Sequence, residues 1–169
     1  MRHEFPGFFS SLPLLLCVIL GPSLANAGED MRPRPDDGAP QCTWESVGRK
    51  WSVNPYMLYA IAKTESGLNP RAINRSNRNG SEDLGMMQIN SFWLPKLEKF
   101  GISRSHLFHP CVSLDVAGWI LSQNMQRHGN TWTAVGAYNA ASPEKRVAYA
   151  RKVLKNLPPE ALNNGRDSK

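Results

Sequence analysis

Between Cys42 and Leu157 the apolar residues recur at intervals of three and four, and prolines and glycines cut that pattern into short lengths. Trp44, Val47 and Trp51 make the first length. Asn54 is placed to cap a second helix that opens on Pro55, where a missing N–H costs nothing. Leu58, Ile61, Ala62 and Glu65 then follow on one side of that helix. Gly67 ends it, and Asn69-Pro70 prevents its continuation. A loop rich in Asn, Ser and Gly from Ile73 to Asp83 leads into Gly85-Met86-Met87-Gln88-Ile89-Asn90, the one short stretch that reads as strand. Further helical lengths are expected around Trp93 to Phe100, from about Cys111 to Arg127, from Trp132 to Tyr138 and from about Glu144 to Leu154. The fold class is therefore mainly α, with at most a small β-hairpin or extended motif loop.

The two ends read differently. Met1-Arg2-His3, an apolar run from Phe8 to Leu20 and the A-x-A element Ala25-Asn26-Ala27 have the layout of a secretory signal peptide, residues 1–27, too short to be a spanning helix. Residues 28–41 form a polar, proline-rich leader with no face to bury, expected to be disordered. The prolines at 158 and 159 stop the last helix, so 158–169 reads as a flexible tail and the folded domain as 42–157. An exported chain meets an oxidising compartment, and beyond the signal segment only Cys42 and Cys111 remain, an even set expected to pair. Closing a loop of that length is worth roughly 4 kcal/mol in the chain-entropy treatment. Neither cysteine has a second Cys or His at the spacing of a zinc loop, and no metal or other cofactor is expected.

The net charge of +6 comes from lysines and arginines spread along the chain. Basic charge alone would suit a nucleic-acid protein, but no concentrated basic recognition helix is present and the export signal leads elsewhere. Charge here points to the anionic polymers and lipids of the bacterial envelope.

Glu65 is the residue with chemical promise. A carboxyl on the apolar stripe of a helix is costly to ionise, so it either gathers donors or keeps its proton toward neutral pH. A kept proton is what a general acid needs to protonate a glycosidic oxygen. The acidic residues of the following loop, Glu82 and Asp83, read as solvated turn residues, so the second carboxylate of an ordinary glycosidase, about 5 to 9 Å from the first, is not evident.

Three ordered elements, Glu65-Ser66-Gly67-x-Asn69-Pro70, Gly85-Met86-Met87-Gln88-Ile89-Asn90 and Ala137-Tyr138-Asn139-Ala140, closely resemble the soluble lytic transglycosylases of the goose-lysozyme superfamily. Agreement in Leu107-Phe108-His109-Pro110-Cys111, Gly118-Trp119-Ile120-Leu121 and the Tyr149 to Val153 segment looks like the small branch attached to secretion, conjugation and type IV pilus systems. The resemblance implies a lysozyme-like α+β domain that acts in the periplasm, as a monomer, on peptidoglycan glycan strands and beside components of such a machine. Glu65 would protonate the oxygen between N-acetylmuramic acid and N-acetylglucosamine. It would then take the proton of the muramoyl C6 hydroxyl, which attacks C1 and leaves a 1,6-anhydro end. Gln88 would bind the sugar, Tyr138 would orient Glu65 or the N-acetyl group, and Met87 would line the cleft, with core packing as the other reading. Ser66, Asn74 and Asn90 would complete the substrate contacts, Asn139 would join them or brace the local backbone, and Trp93 would serve as a sugar platform. Ala141 stands where the family usually has glycine, which puts the shape of one cleft wall in question. A hydrolytic muramidase on the same fold and a non-catalytic glycan-binding scaffold are the alternatives.

Overall fold

The computed structural model describes residues 42–163, so the signal segment, the leader and the last six residues lie outside the described residues. Helix α1 (Trp44–Trp51) starts on a reciprocal capping box, in which the Thr43 hydroxyl accepts from the Ser46 N–H and the Ser46 hydroxyl from the Thr43 N–H. Cys42, just before it, is bonded to Cys111 with 5.6 Å between Cα atoms, the expected pairing. Helix α2 (Pro55–Ser66) begins as the sequence indicates, with Asn54 accepting from the Tyr56 N–H and Pro55 in the first turn. It ends at Gly67, whose φ of 62° suits a residue without Cβ.

Three antiparallel strands of two residues each follow, β1 (Ile73–Asn74), β2 (Asp83–Leu84) and β3 (Ile89–Asn90), in that spatial order. The register aligns Asn74 with Asp83 and Asp83 with Asn90, so three polar residues form one row across the sheet. The expected continuous strand from Gly85 to Asn90 is not formed. Gly85 and Gln88 both take positive φ, 73° and 47°, and residues 85–88 make a tight turn between β2 and β3. The glycine is required there: a Cβ would overlap the carbonyl oxygen of Leu107.

The helix expected around Trp93 to Phe100 is split: a 3-10 turn from Ser91 to Trp93, the single α turn α3 (Leu94–Leu97) and a second 3-10 turn that ends at Gly101. Helix α4 (Pro110–His128) is the central element and buries Leu114, Ala117 and Leu121. Gly118 lets α1 approach it, since a Cβ there would come within 2.6 Å of the Trp51 ring and 2.9 Å of Val47. Helices α5 (Trp132–Gly136) and α6 (Pro143–Lys155) close the body, and α2 packs on α6. One more helical turn, α7 (Pro159–Asn163), continues where the sequence reads as tail. The core is a single cluster in which Leu58, Ile61, Leu84, Met87, Leu121 and Val153 are fully buried, each worth about 1.5–3 kcal/mol on burial. Among the described residues no helix is long and apolar enough to cross a membrane. The architecture is thus a mostly helical α+β domain with a small sheet.

Candidate active site

Glu65 is the penultimate residue of α2, and the helix end that carries it is tied to the turn after β2. The Ser66 hydroxyl donates to the Met86 carbonyl at 2.7 Å and accepts from the Asn69 N–H at 3.0 Å. That turn is held in its own right. Gly85 N–H donates to the Ala72 carbonyl, Met87 N–H to the Ser113 hydroxyl, and the Tyr138 hydroxyl to the Met87 carbonyl at 3.0 Å. The Gln88 amide nitrogen is committed to the carbonyls of Ala72 and Gly85, at 3.2 and 2.9 Å.

These connections bring Glu65, Gln88, Asn90, Trp93, Tyr138 and Asn139 to one cleft of about 230 Å³, together with Asn77 and Asp83. Three of the expected contacts are placed otherwise. Met87 is fully buried in the core, because its turn folds the side chain inward between α2 and α4. Ser66 braces the turn, and Asn74 lies in the sheet row, its amide donating to Asp83 at 2.8 Å. Ala141 is not among the positive-φ residues, so its missing glycine costs no backbone strain.

Asp83 is not the solvated turn residue of the sequence reading. It is half-buried, and its carboxylate accepts from the side-chain amides of Asn74, Asn77 and Asn90 at 2.8, 3.0 and 2.7 Å. Two of these donors are its neighbours in the row across the sheet, and the third comes from the loop between β1 and β2. Glu82, one residue earlier on the opposite side of the strand, pairs with Arg104 and Arg75 outside the cleft. The hydrogen bond from Arg104 is the main reason its carboxyl lies below the usual range.

Burial pushes the Glu65 carboxyl from 4.5 up to about 7, and the charge of Asp83 pushes in the same direction. A hydrogen bond from the Tyr149 hydroxyl, 2.6 Å from Oε1, opposes this, as does Lys152. Burial first, and Glu65 beside it, hold the Tyr149 phenol far above its ordinary value, so it stays a donor. The hydroxyl on Glu65 is thus that of Tyr149, whereas the Tyr138 hydroxyl is given to the Met87 carbonyl; burial raises the Tyr138 phenol too.

Asn77 and Tyr149 escaped the sequence reading, and Asp83 was weighed there and set aside as a solvated turn residue. For Tyr149 a signal existed: it lies on the apolar stripe of α6 with Ala150 and Val153, and a buried phenol must find a partner. For Asp83 the signal required the strand register, because only the pairing of Asn74 and Asn90 with it turns three scattered polar residues into one group.

A half-buried acid at a helix end, sharing its cleft with a carboxylate held on a small sheet, is a layout suited to cleaving a glycosidic bond. Residues 43–157 match the family model described as the transglycosylase SLT domain. The chain is 45% identical over 118 residues to invasion protein IagB of Salmonella typhimurium, covering 67% of this chain and 73% of that protein. It is 39% identical over 140 residues to protein IpgF of Shigella flexneri, 78% of this chain and 91% of that one. A peptidoglycan-binding-like protein of Escherichia coli O157:H7 is 35% identical over 126 residues, 68% and 75%. With the family model spanning the chain from α1 to the end of α6, the cleft included, the chain belongs to the transglycosylase SLT family.

Proposed function

We propose that this protein is a peptidoglycan lytic transglycosylase that cuts the β-1,4 bond between N-acetylmuramic acid and N-acetylglucosamine, with Glu65 as acid and then base. The observation that carries the proposal is Glu65 itself: a carboxyl that keeps its proton to about pH 7, aimed by a phenol at 2.6 Å, in a cleft shared with a second carboxylate. In the first step the Glu65 proton passes to the glycosidic oxygen, the C1–O bond breaks, and N-acetylglucosamine leaves as an alcohol. Positive charge then develops at muramoyl C1, and Asp83, fixed by three amides, supplies a negative charge preorganised for it. In the second step the Glu65 carboxylate removes the C6 hydroxyl proton as that oxygen bonds to C1, which gives the 1,6-anhydro end and returns Glu65 to its acid form. No water is consumed. Gln88 offers its amide oxygen and Asn139 its amide to the sugar substituents, Asn90 holds Asp83 in place, and Trp93 offers an apolar wall.

The presence of Asp83 in the cleft favours one other reading, a hydrolytic muramidase in which a water replaces the C6 hydroxyl. The products separate the two: an anhydro end is lighter by one water than a hydrolysed end. Digested sacculi resolved by mass spectrometry should show anhydro ends, and reducing ends alone would select the hydrolase. The names of the relatives, an invasion protein and a peptidoglycan-binding-like protein, support work at the cell envelope. We place the enzyme in the periplasm, exported by its N-terminal segment, where it opens the wall locally for a secretion, conjugation or pilus machine.

A further inference from the structure

We propose that the groove between the C-terminal end of α1 and the face of α4 around Trp119 is a second glycan-holding site, which carries the peptidoglycan strand onward from the cutting cleft. The inference rests on the reading of the cleft as a polysaccharide site. The groove encloses about 580 Å³ and is lined by Lys50, Trp51, Trp119, Gln123, Gln126 and Asn130.

Three observations point to this occupant. The first is continuity. Trp93 lines the cutting cleft and meets Trp119 edge-on with 5.2 Å between ring centroids, and Trp119 lines the groove. On α4 the neighbouring Ile120 belongs to the cleft wall, so the two depressions share one edge of the helix and one aromatic corner. The second is chemistry. A pyranose has an apolar C–H face and a rim of hydroxyl and N-acetyl groups that both donate and accept. The groove answers with two half-buried indoles and three side-chain amides, Gln123, Gln126 and Asn130, which likewise do both. The third is charge. The Lys96 ammonium stands 4.6 Å from the Trp119 centroid, whereas Lys50, 5.0 Å from that of Trp51, is held by the Asp115 carboxylate at 2.8 Å. Muramoyl residues carry stem peptides with carboxylates, and a strand laid along the indoles brings those carboxylates to Lys96. A strand engaged at both places would bind more tightly than a fragment that fills the cleft alone, because the second contact is intramolecular.

The test uses the whole protein carrying Glu65→Gln, which holds substrate without cutting it, labelled for NMR. Isolated uncrosslinked glycan strands should shift the side-chain amide signals of Gln123, Gln126 and Asn130 and the Trp119 indole N–H, along with the cleft signals of Gln88 and Asn90. A disaccharide-peptide should shift the cleft signals alone. The double variant Gln123→Ala/Gln126→Ala on the same background should lose about tenfold in affinity for long strands, the equivalent of two modest hydrogen bonds. Long strands that move only the cleft signals overturn the groove proposal and leave the cleft reading standing. Shifts nowhere overturn both. Should the double variant fail to fold, the signals of the unaltered groove decide the matter.

Discussion

Replacing Glu65 by Gln should remove activity and, at the same time, make the protein more stable in a way that depends on pH. The unfolded chain releases this proton near 4.5, whereas the fold holds it to about 7. The stability contributed by the held proton is therefore fully present below about 4.5 and is lost as the pH rises through about 7. The difference between the two values corresponds to about 3 kcal/mol. Glutamine copies the protonated form and has no proton to lose. Below pH 4 the two proteins should have nearly equal stability, and at pH 8 the variant should be ahead by about 2–3 kcal/mol. For a domain of this size that is roughly 6–12 °C in Tm. Urea unfolding at pH 4, 6 and 8, followed by tryptophan fluorescence, measures the difference directly. Turnover of peptidoglycan should fall by about 10²–10⁴ at every pH. A stability difference that does not change between pH 4 and 8, or a variant less stable than the parent at pH 8, would refute the account of Glu65 as a carboxyl held protonated by burial.

Tyr149→Phe removes the bond that favours the charged Glu65, so the Glu65 value should rise and the alkaline limb of kcat against pH should move upward, while turnover falls from lost aim. Asp83→Asn removes a negative charge that raises Glu65, so the same limb should move down, and kcat should drop by about 10-fold or more if the charge stabilises C1; an unchanged kcat in the folded variant removes Asp83 from the mechanism. Cys42→Ser/Cys111→Ser should lower the unfolding free energy by about 4 kcal/mol, read from denaturant midpoints, since the bridge spans 69 residues. Gly85→Ala meets both a positive φ and the Leu107 carbonyl, and should yield little folded protein by circular dichroism and expression.

Helix starts and stops were legible because their chemistry is local. Asn54-Pro55, Gly67 and the Pro110 region each act within a few residues, and the structure places helix ends at or beside them. Glu65 was legible for the same reason, since the stripe of Leu58, Ile61 and Ala62 already places it on the inner side of α2. The stretch from Gly85 to Asn90 misled, because an apolar run with a glycine fits a strand as well as a turn, and what decides between them is the approach of Leu107, distant in sequence. The same run left Met87 open between cleft and core, and the structure gives the core: a family motif marks that something is fixed at a position, not that it touches substrate. Asp83 and Tyr149 depended on pairings across 9 and 84 residues, the first a strand register and the second a helix contact, and only Tyr149 leaves a local trace, its place on the apolar stripe of α6.

These pairings also show what the motif turn does. The acid comes from the end of α2 and the opposing carboxylate from β2, two elements that share no backbone hydrogen-bond ladder. Their relation is set instead by the short turn 85–88. Ser66 fastens the helix end to Met86, while Met87 is anchored through its N–H to α4 and through its carbonyl to Tyr138 after α5. The buried Met87 side chain then pins the same turn into the core. A small displacement of that turn would change the distance between proton donor and charge, and displacements of about 1 Å near a reacting centre cost about a hundredfold in rate. The conformationally demanding residues of the turn, Gly85 and Gln88, are therefore the structural condition for Glu65 and Asp83 to line one cleft, even though Gln88 alone of the two turn residues lines it as well.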